Sequence, residues 1–181
     1  MIKKISAWLF TTLGWRMVGE IPPHIKKYVL VAAPHTSNWD YLYGRLFFFA
    51  KGIPVRMLIK KELFFFPLGF FLTALGGIPV DRSKKSNLTY DLVRIFQQYE
   101  HLAILFTPEG TRKYSPNWKK GFYYTAEAAH VPIVLGFIDY EKKIGGFGPV
   151  FEPTGNVEAD LEKIKVFYKN KKGKYPEQGV K

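Results

Sequence analysis

The chain has 181 residues, 47% of them hydrophobic and 17% aromatic, and carries a formal net charge of +12. That length suits one domain with a full core, and that apolar share excludes a disordered chain. The absence of cysteine excludes disulfides, thiolate metal sites and a cysteine nucleophile, while the positive field favours anionic partners: nucleic acid, acidic lipid headgroups or an acidic carrier protein.

Residues 1–20 open the chain with Ile2, Ile5, Leu9 and Leu13 near one helical face, widened by Trp8, Phe10 and Trp15 and flanked by Lys3, Lys4 and Arg16. The pattern predicts an amphipathic helix to about residue 19 that lies in the membrane interface. Its apolar run falls short of the roughly 20 residues a bilayer span needs. The rival expectation is an ordinary first helix packed on the core. Pro22-Pro23 ends the segment, and Tyr28–Ala33 reads as a buried parallel strand. A helix is predicted from Asn38 or Trp39 to Lys51, closed by Gly52, and a second strand over Val55–Ile59. Lys60, Lys61 and Glu62 end that strand with charge.

Leu63–Leu72 is the most hydrophobic stretch, interrupted by Pro67 and Gly69. Core burial is the expectation, against a greasy wall or membrane-dipping segment that receives an acyl chain. A short strand at Gly76–Val80 leads to Asp81 and Arg82. Leu88, Leu92, Ile95, Phe96 and Tyr99 recur at helical spacing, and Leu102–Phe106 is a third buried strand. A helix is predicted over Trp118–Ala129 and a strand over Val131–Ile138. A Gly145-Gly146 turn and a short extended piece at Pro149–Phe151 follow. Asn156 caps a last helix whose apolar face is Val157, Leu161, Ile164 and Tyr168. Residues 21–172 therefore form one domain, and 173–181 read as a polar, frayed tail. The fold class is α/β: a largely parallel or mixed central sheet flanked by helices. In such sheets ligands bind beyond the carboxyl ends of the strands.

Two post-strand stretches carry the chemistry. His35 follows the first strand, and Asp40 falls in the first turn of the next helix, close enough to hold one ring nitrogen and leave the other to accept a proton. A structural histidine bonded to a helix-capping aspartate is the plain alternative. With no cysteine present, and Ser37 too near in sequence to serve, the nucleophile is expected to be the substrate's own hydroxyl. The second stretch, Glu109-Gly110-Thr111-Arg112, offers close backbone approach at Gly110, a planar guanidinium fork at Arg112 for phosphate or carboxylate, and Glu109 to orient that arginine or the acceptor hydroxyl. Arg82 would add a cation from a neighbouring strand end. No histidine cluster with metal-ligand spacing is present, and no helix-turn-helix, zinc-finger or RNP-type pattern, so neither a metal nor nucleic acid is expected.

Four blocks, PHTSNWD, GGIPVDR, FTPEGTR and VPIVLGF, occur in the order of the sequence blocks of the glycerolipid (lysophospholipid) acyltransferase family, which the chain resembles from residue 35 to about 138. Pro34 stands where the family often has asparagine, and Leu135 where it commonly has a second proline. The resemblance implies transfer of a fatty acyl group from a thioester of coenzyme A or acyl carrier protein, with no bound cofactor, to the hydroxyl of a lysophospholipid-like acceptor. Carried over, His35 is the base and Asp40 its partner; Arg82, Glu109, Gly110, Thr111 and Arg112 bind or orient the acceptor. Ser37, Asn38, Lys60 and Lys61 complete the candidate substrate-binding set. The expected location is cytoplasmic and peripheral on an anionic membrane surface. A lipid esterase or thioesterase, and a non-catalytic lipid-binding protein of the membrane surface, are the alternatives.

Overall fold

Continuous apolar runs on the central strands, whose successive side chains point to opposite sides, give the sheet two buried faces. The computed structural model describes residues 1–81 and 88–181. Among the described residues seven strands form one mixed sheet in the order β1-β7-β6-β2-β5-β3-β4. They are β1 (Arg16–Val18), β2 (Lys27–Ala32), β3 (Val55–Lys60), β4 (Gly77–Val80), β5 (Leu102–Phe106), β6 (Ile133–Asp139) and β7 (Ile144–Phe151). Every pairing is parallel except the β6–β7 hairpin.

On β2, Val29 and Val31 face one core, with Ile104, Ile133 and Leu135 of the neighbouring strands. Helices α4 (Leu88–Gln98), α5 (Gly121–Ala129) and α6 (Val157–Lys169) cover it through Leu92, Phe96, Phe122, Tyr123, Leu161 and Tyr168. Tyr28 and Leu30 face the other core, closed by Phe10 of α1 (Ile2–Thr12) and Phe47 and Phe48 of α2 (Trp39–Lys51). Helix α3 (Leu68–Ala74) shares a groove with α1 and α2 and so belongs to this second layer. The last helix starts where expected: the Asn156 side chain accepts the Ala159 N–H at 3.1 Å.

Five sequence expectations are corrected. The first helix stops at Thr12 because Gly14 turns the chain at φ +81°; Trp15 then buries itself, and Arg16–Val18 is drawn into the sheet beside β7. Leu63–Leu75 is not core: Phe66 is 91% and Phe70 73% exposed, because β4 is an edge strand and α3 lies at the margin of the sheet. Gly145-Gly146 is not a turn but part of β7. A Cβ at Gly145 would stand 2.8 Å from Phe10 and one at Gly146 2.5 Å from Val18, so tight packing explains both glycines. The helix predicted from Trp118 begins at Gly121. The tail is docked rather than frayed: Gly173 packs on Thr36, the Tyr175 N–H donates to Thr36 Oγ1 at 3.3 Å, and Val180 packs on the core. Arg82 lies outside the described residues.

Candidate active site

Strand β2 sits between β5 and β6, parallel to both, so the turns after β2 and β5 leave the sheet side by side. His35 and Asp40 come from the first turn and Glu109 from the second. His35 Nδ1 lies 3.1 Å from Asp40 Oδ2. The same oxygen accepts the N–H groups of Thr36 and Ser37, each at 2.8 Å. The other, Oδ1, accepts the hydroxyl of Tyr140 at 2.7 Å. Burial pushes the Asp40 carboxyl up, but the bonds from His35, Tyr140 and the Ser37 backbone outweigh it and hold the group below the ordinary carboxylate range. An ionised Asp40 holds the His35 ring through Nδ1, and Nε2 is left outside that contact.

Glu109 does not reach for Arg112. It is buried, and its Oε2 accepts the backbone N–H of His35 at 2.8 Å, tying the two turns together. Burial pushes its carboxyl up to about 7, partly opposed by the His35 backbone bond. Behind the pair, the Tyr168 hydroxyl of α6 donates to the Val31 carbonyl at 2.9 Å and the Gly136 carbonyl at 3.2 Å, fastening the ends of β2 and β6.

A cavity of about 230 Å³ opens at this pair and runs between α2 and the sheet. His35, Asp40, Tyr41, Arg45 and Thr107 are its polar lining, and Phe47, Phe48, Met57 and Leu105 are among its apolar walls. The arrangement joins a histidine–aspartate pair to a largely apolar slot, a shape with room for a hydrocarbon chain.

The other expected residues stand apart from the cavity lining. Ser37 is buried, with its Oγ accepting the Trp39 N–H at 3.2 Å, and Asn38 is exposed at the start of α2. Gly110, Thr111 and Arg112 form an exposed turn, with Gly110 at φ +66°. Lys60 and Lys61 are exposed at the end of β3. The sequence reading missed Tyr140, and it placed Tyr168 on the buried face of the last helix without its hydroxyl bonds. Each lies outside the motif blocks, far along the chain from the residue it bonds, and no local pattern marks the bond.

The sequence model of the family described as Acyltransferase matches residues 16–135, a segment that contains His35, Asp40 and Glu109–Arg112 but not Tyr140 or the docked tail. The 1-acyl-sn-glycerol-3-phosphate acyltransferases of Limnanthes douglasii and Limnanthes alba are each 31% identical over 120 residues, covering 61% of this chain. The chain spans about two fifths of the length of these curated relatives, 41% in each case. The crystal structure of the 1-acyl-sn-glycerophosphate (LPA) acyltransferase PlsC from Thermotoga maritima superposes with a TM-score of 0.63. At 18% identity it covers 92% of this chain and 76% of that one, so the likeness is one of fold. By the span and order of what it matches, the chain belongs to the acyltransferase family.

Proposed function

We propose that the chain transfers a fatty acyl group from a thioester of coenzyme A or acyl carrier protein to the hydroxyl of a lysophospholipid-like acceptor, at a membrane surface on the cytoplasmic side. The observation that carries this reading is the His35–Asp40 contact at the opening of an apolar cavity. The acyl chain lies in the cavity, and its carbonyl is held beside His35. Nε2 takes the hydroxyl proton as the acceptor oxygen attacks the carbonyl carbon. The C=O pair moves onto oxygen, giving a tetrahedral oxyanion. Collapse re-forms the carbonyl and breaks the C–S bond; the imidazolium, stabilised by Asp40, returns the proton to the thiolate. Tyr140 and the amides of Thr36 and Ser37 keep Asp40 ionised and still, while Glu109 holds the base turn through the His35 N–H. Arg112, Thr111, Gly110, Lys60, Lys61 and Arg82 supply the charge and donors that greet an anionic acceptor. Ser37 and Asn38 shape the turn beneath it. The exposed Ile2, Ile5 and Trp8 of α1 hold the protein at the lipid surface, consistent with the lack of any described helix long and apolar enough to cross a membrane.

The test is a mass-resolved assay of purified protein with acyl-CoA and acyl carrier protein donors and a panel of lysophospholipids. An acylated lysolipid that depends on His35 is the expected product. Free fatty acid alone would make the protein a hydrolase, and binding without turnover a lipid-binding protein.

A further inference from the structure

A second concave surface, of about 420 Å³, lies where Gly52–Pro54 follow α2 and Gly76 precedes β4. These are the amino ends of β3 and β4, whereas His35 follows the carboxyl end of β2. Among the described residues the cations in its lining are Lys3, Arg45 and Arg56, and no acidic residue joins them. Among the described residues, none of the three is in an ion pair.

Arg45 is the telling member. It is 9% exposed, and its Nε has no hydrogen-bond partner. One Nη makes a long 3.5 Å contact to the Val55 carbonyl, and the guanidinium lies over the Phe49 ring at 4.3 Å. Burial pulls its pKa down. A buried cation without a carboxylate is costly, and an anion supplied from outside removes the cost. The rest of the lining is largely apolar: Ile2, Phe48, Phe49, Ile53 and Leu75. The groove opens between α1 and α3, the helices whose outer faces show Ile5, Trp8, Phe70 and Phe71 to solvent.

We propose that this groove binds the phosphate of an anionic phospholipid, with Lys3, Arg45 and Arg56 on the headgroup and the acyl chains along the exposed faces of α1 and α3. A bare anion would use the cations and leave the apolar walls idle; a zwitterionic lipid offers the same phosphate but brings a choline ammonium against Lys3 and Arg56. The site is distinct from the catalytic cavity, although Arg45 and Phe48 form a wall common to both. It stands whether or not acyl transfer is the reaction.

Calorimetric titration of the full chain tests it with three probes: dihexanoyl phosphatidylglycerol below its micelle concentration, dihexanoyl phosphatidylcholine, and inorganic phosphate. Saturable binding of the phosphatidylglycerol is expected, with phosphatidylcholine at least about tenfold weaker because its ammonium meets Lys3 and Arg56, and inorganic phosphate at least about tenfold weaker because it leaves the apolar walls uncovered. The Lys3→Ala/Arg56→Ala double variant should weaken the phosphatidylglycerol by about tenfold or more. Arg45→Met should lose the binding while melting at a higher temperature than the unliganded parent, because a buried unpaired cation is gone. If that variant fails to fold, the double variant carries the test alone. Equal affinity for the two lipids, phosphate bound as tightly as phosphatidylglycerol, or an unchanged double variant would each overturn the proposal.

Discussion

The two helical layers on this sheet solve burial in opposite ways. Under α4, α5 and α6 the buried charge is a carboxylate met by neighbours of its own layer. Asp160, fully buried, accepts the Tyr123 hydroxyl and the Thr154 N–H at 2.8 Å and the Thr154 hydroxyl at 2.9 Å, all on Oδ2, while Oδ1 makes no hydrogen bond and faces Lys163 Nζ at 3.7 Å. Salt bridges dress the outside of this layer, Lys120 with Glu158 and Lys165 with Glu162. Under α1, α2 and α3 the core keeps a largely apolar cavity, Arg45 is buried and, among the described residues, in no ion pair, and phenylalanines point outward. One layer holds the molecule together. The other is built around space and surface that something else completes, and His35 opens onto that space.

Substitutions can break this contrast. The largest effect is expected at the edge of the open layer: His35→Ala should lower acyl transfer by about 10²–10⁴-fold with the circular dichroism and melting of the parent. Unimpaired turnover by the folded variant would remove His35 as the base. Next is Phe122→Ala in the closed layer, where the ring is 1% exposed. It should cost about 3–5 kcal/mol in urea unfolding; a loss under about 1 kcal/mol would mean this layer is as loosely filled as the other.

Glu109 links the two turns and gives a pH signature. Its carboxyl, pushed up to about 7 from 4.5, keeps its proton in the folded chain where the unfolded chain has lost it. Its contribution to stability therefore falls as pH rises from about 4.5 to about 7, by on the order of 3 kcal/mol. Subtracting the urea-unfolding profile of Glu109→Gln from that of the parent should isolate the slope, and parallel profiles would refute it. The smallest effect belongs to Phe66→Ser. With the ring 91% exposed, stability should change by less than about 0.5 kcal/mol, while partition onto anionic vesicles falls. A destabilised variant would mean that α3 is held by that ring.

Much of the site was legible because its parts are local. His35 and Asp40 sit on one turn, so their spacing alone allowed the contact. Strand-turn-helix patterns placed Glu109 on the same sheet edge. Its protein partner was not legible: the sequence offered Arg112 or the acceptor hydroxyl, whereas β2 and β5 lie side by side and hand it the His35 N–H. The hydroxyl bonds of Tyr140 and Tyr168 were invisible for the same reason. The apolar run at Leu63–Leu75 misled because hydrophobicity reports a preference for leaving water, and only the position of β4 at the sheet edge left α3 without a neighbour to bury it.

The amino-acid sequence by itself determined the alternation of strands and helices, the parallel character of most of the sheet and the His35–Asp40 pair, since periodicity, caps and short loops act over a few residues. Tertiary structure alone decided that Glu109 holds the His35 turn, that Tyr140 holds Asp40, that the tail docks on Thr36, and that one layer gives its buried carboxylate partners while the other leaves Arg45 without an ion pair among the described residues. Those outcomes depend on which distant segments become neighbours across the sheet.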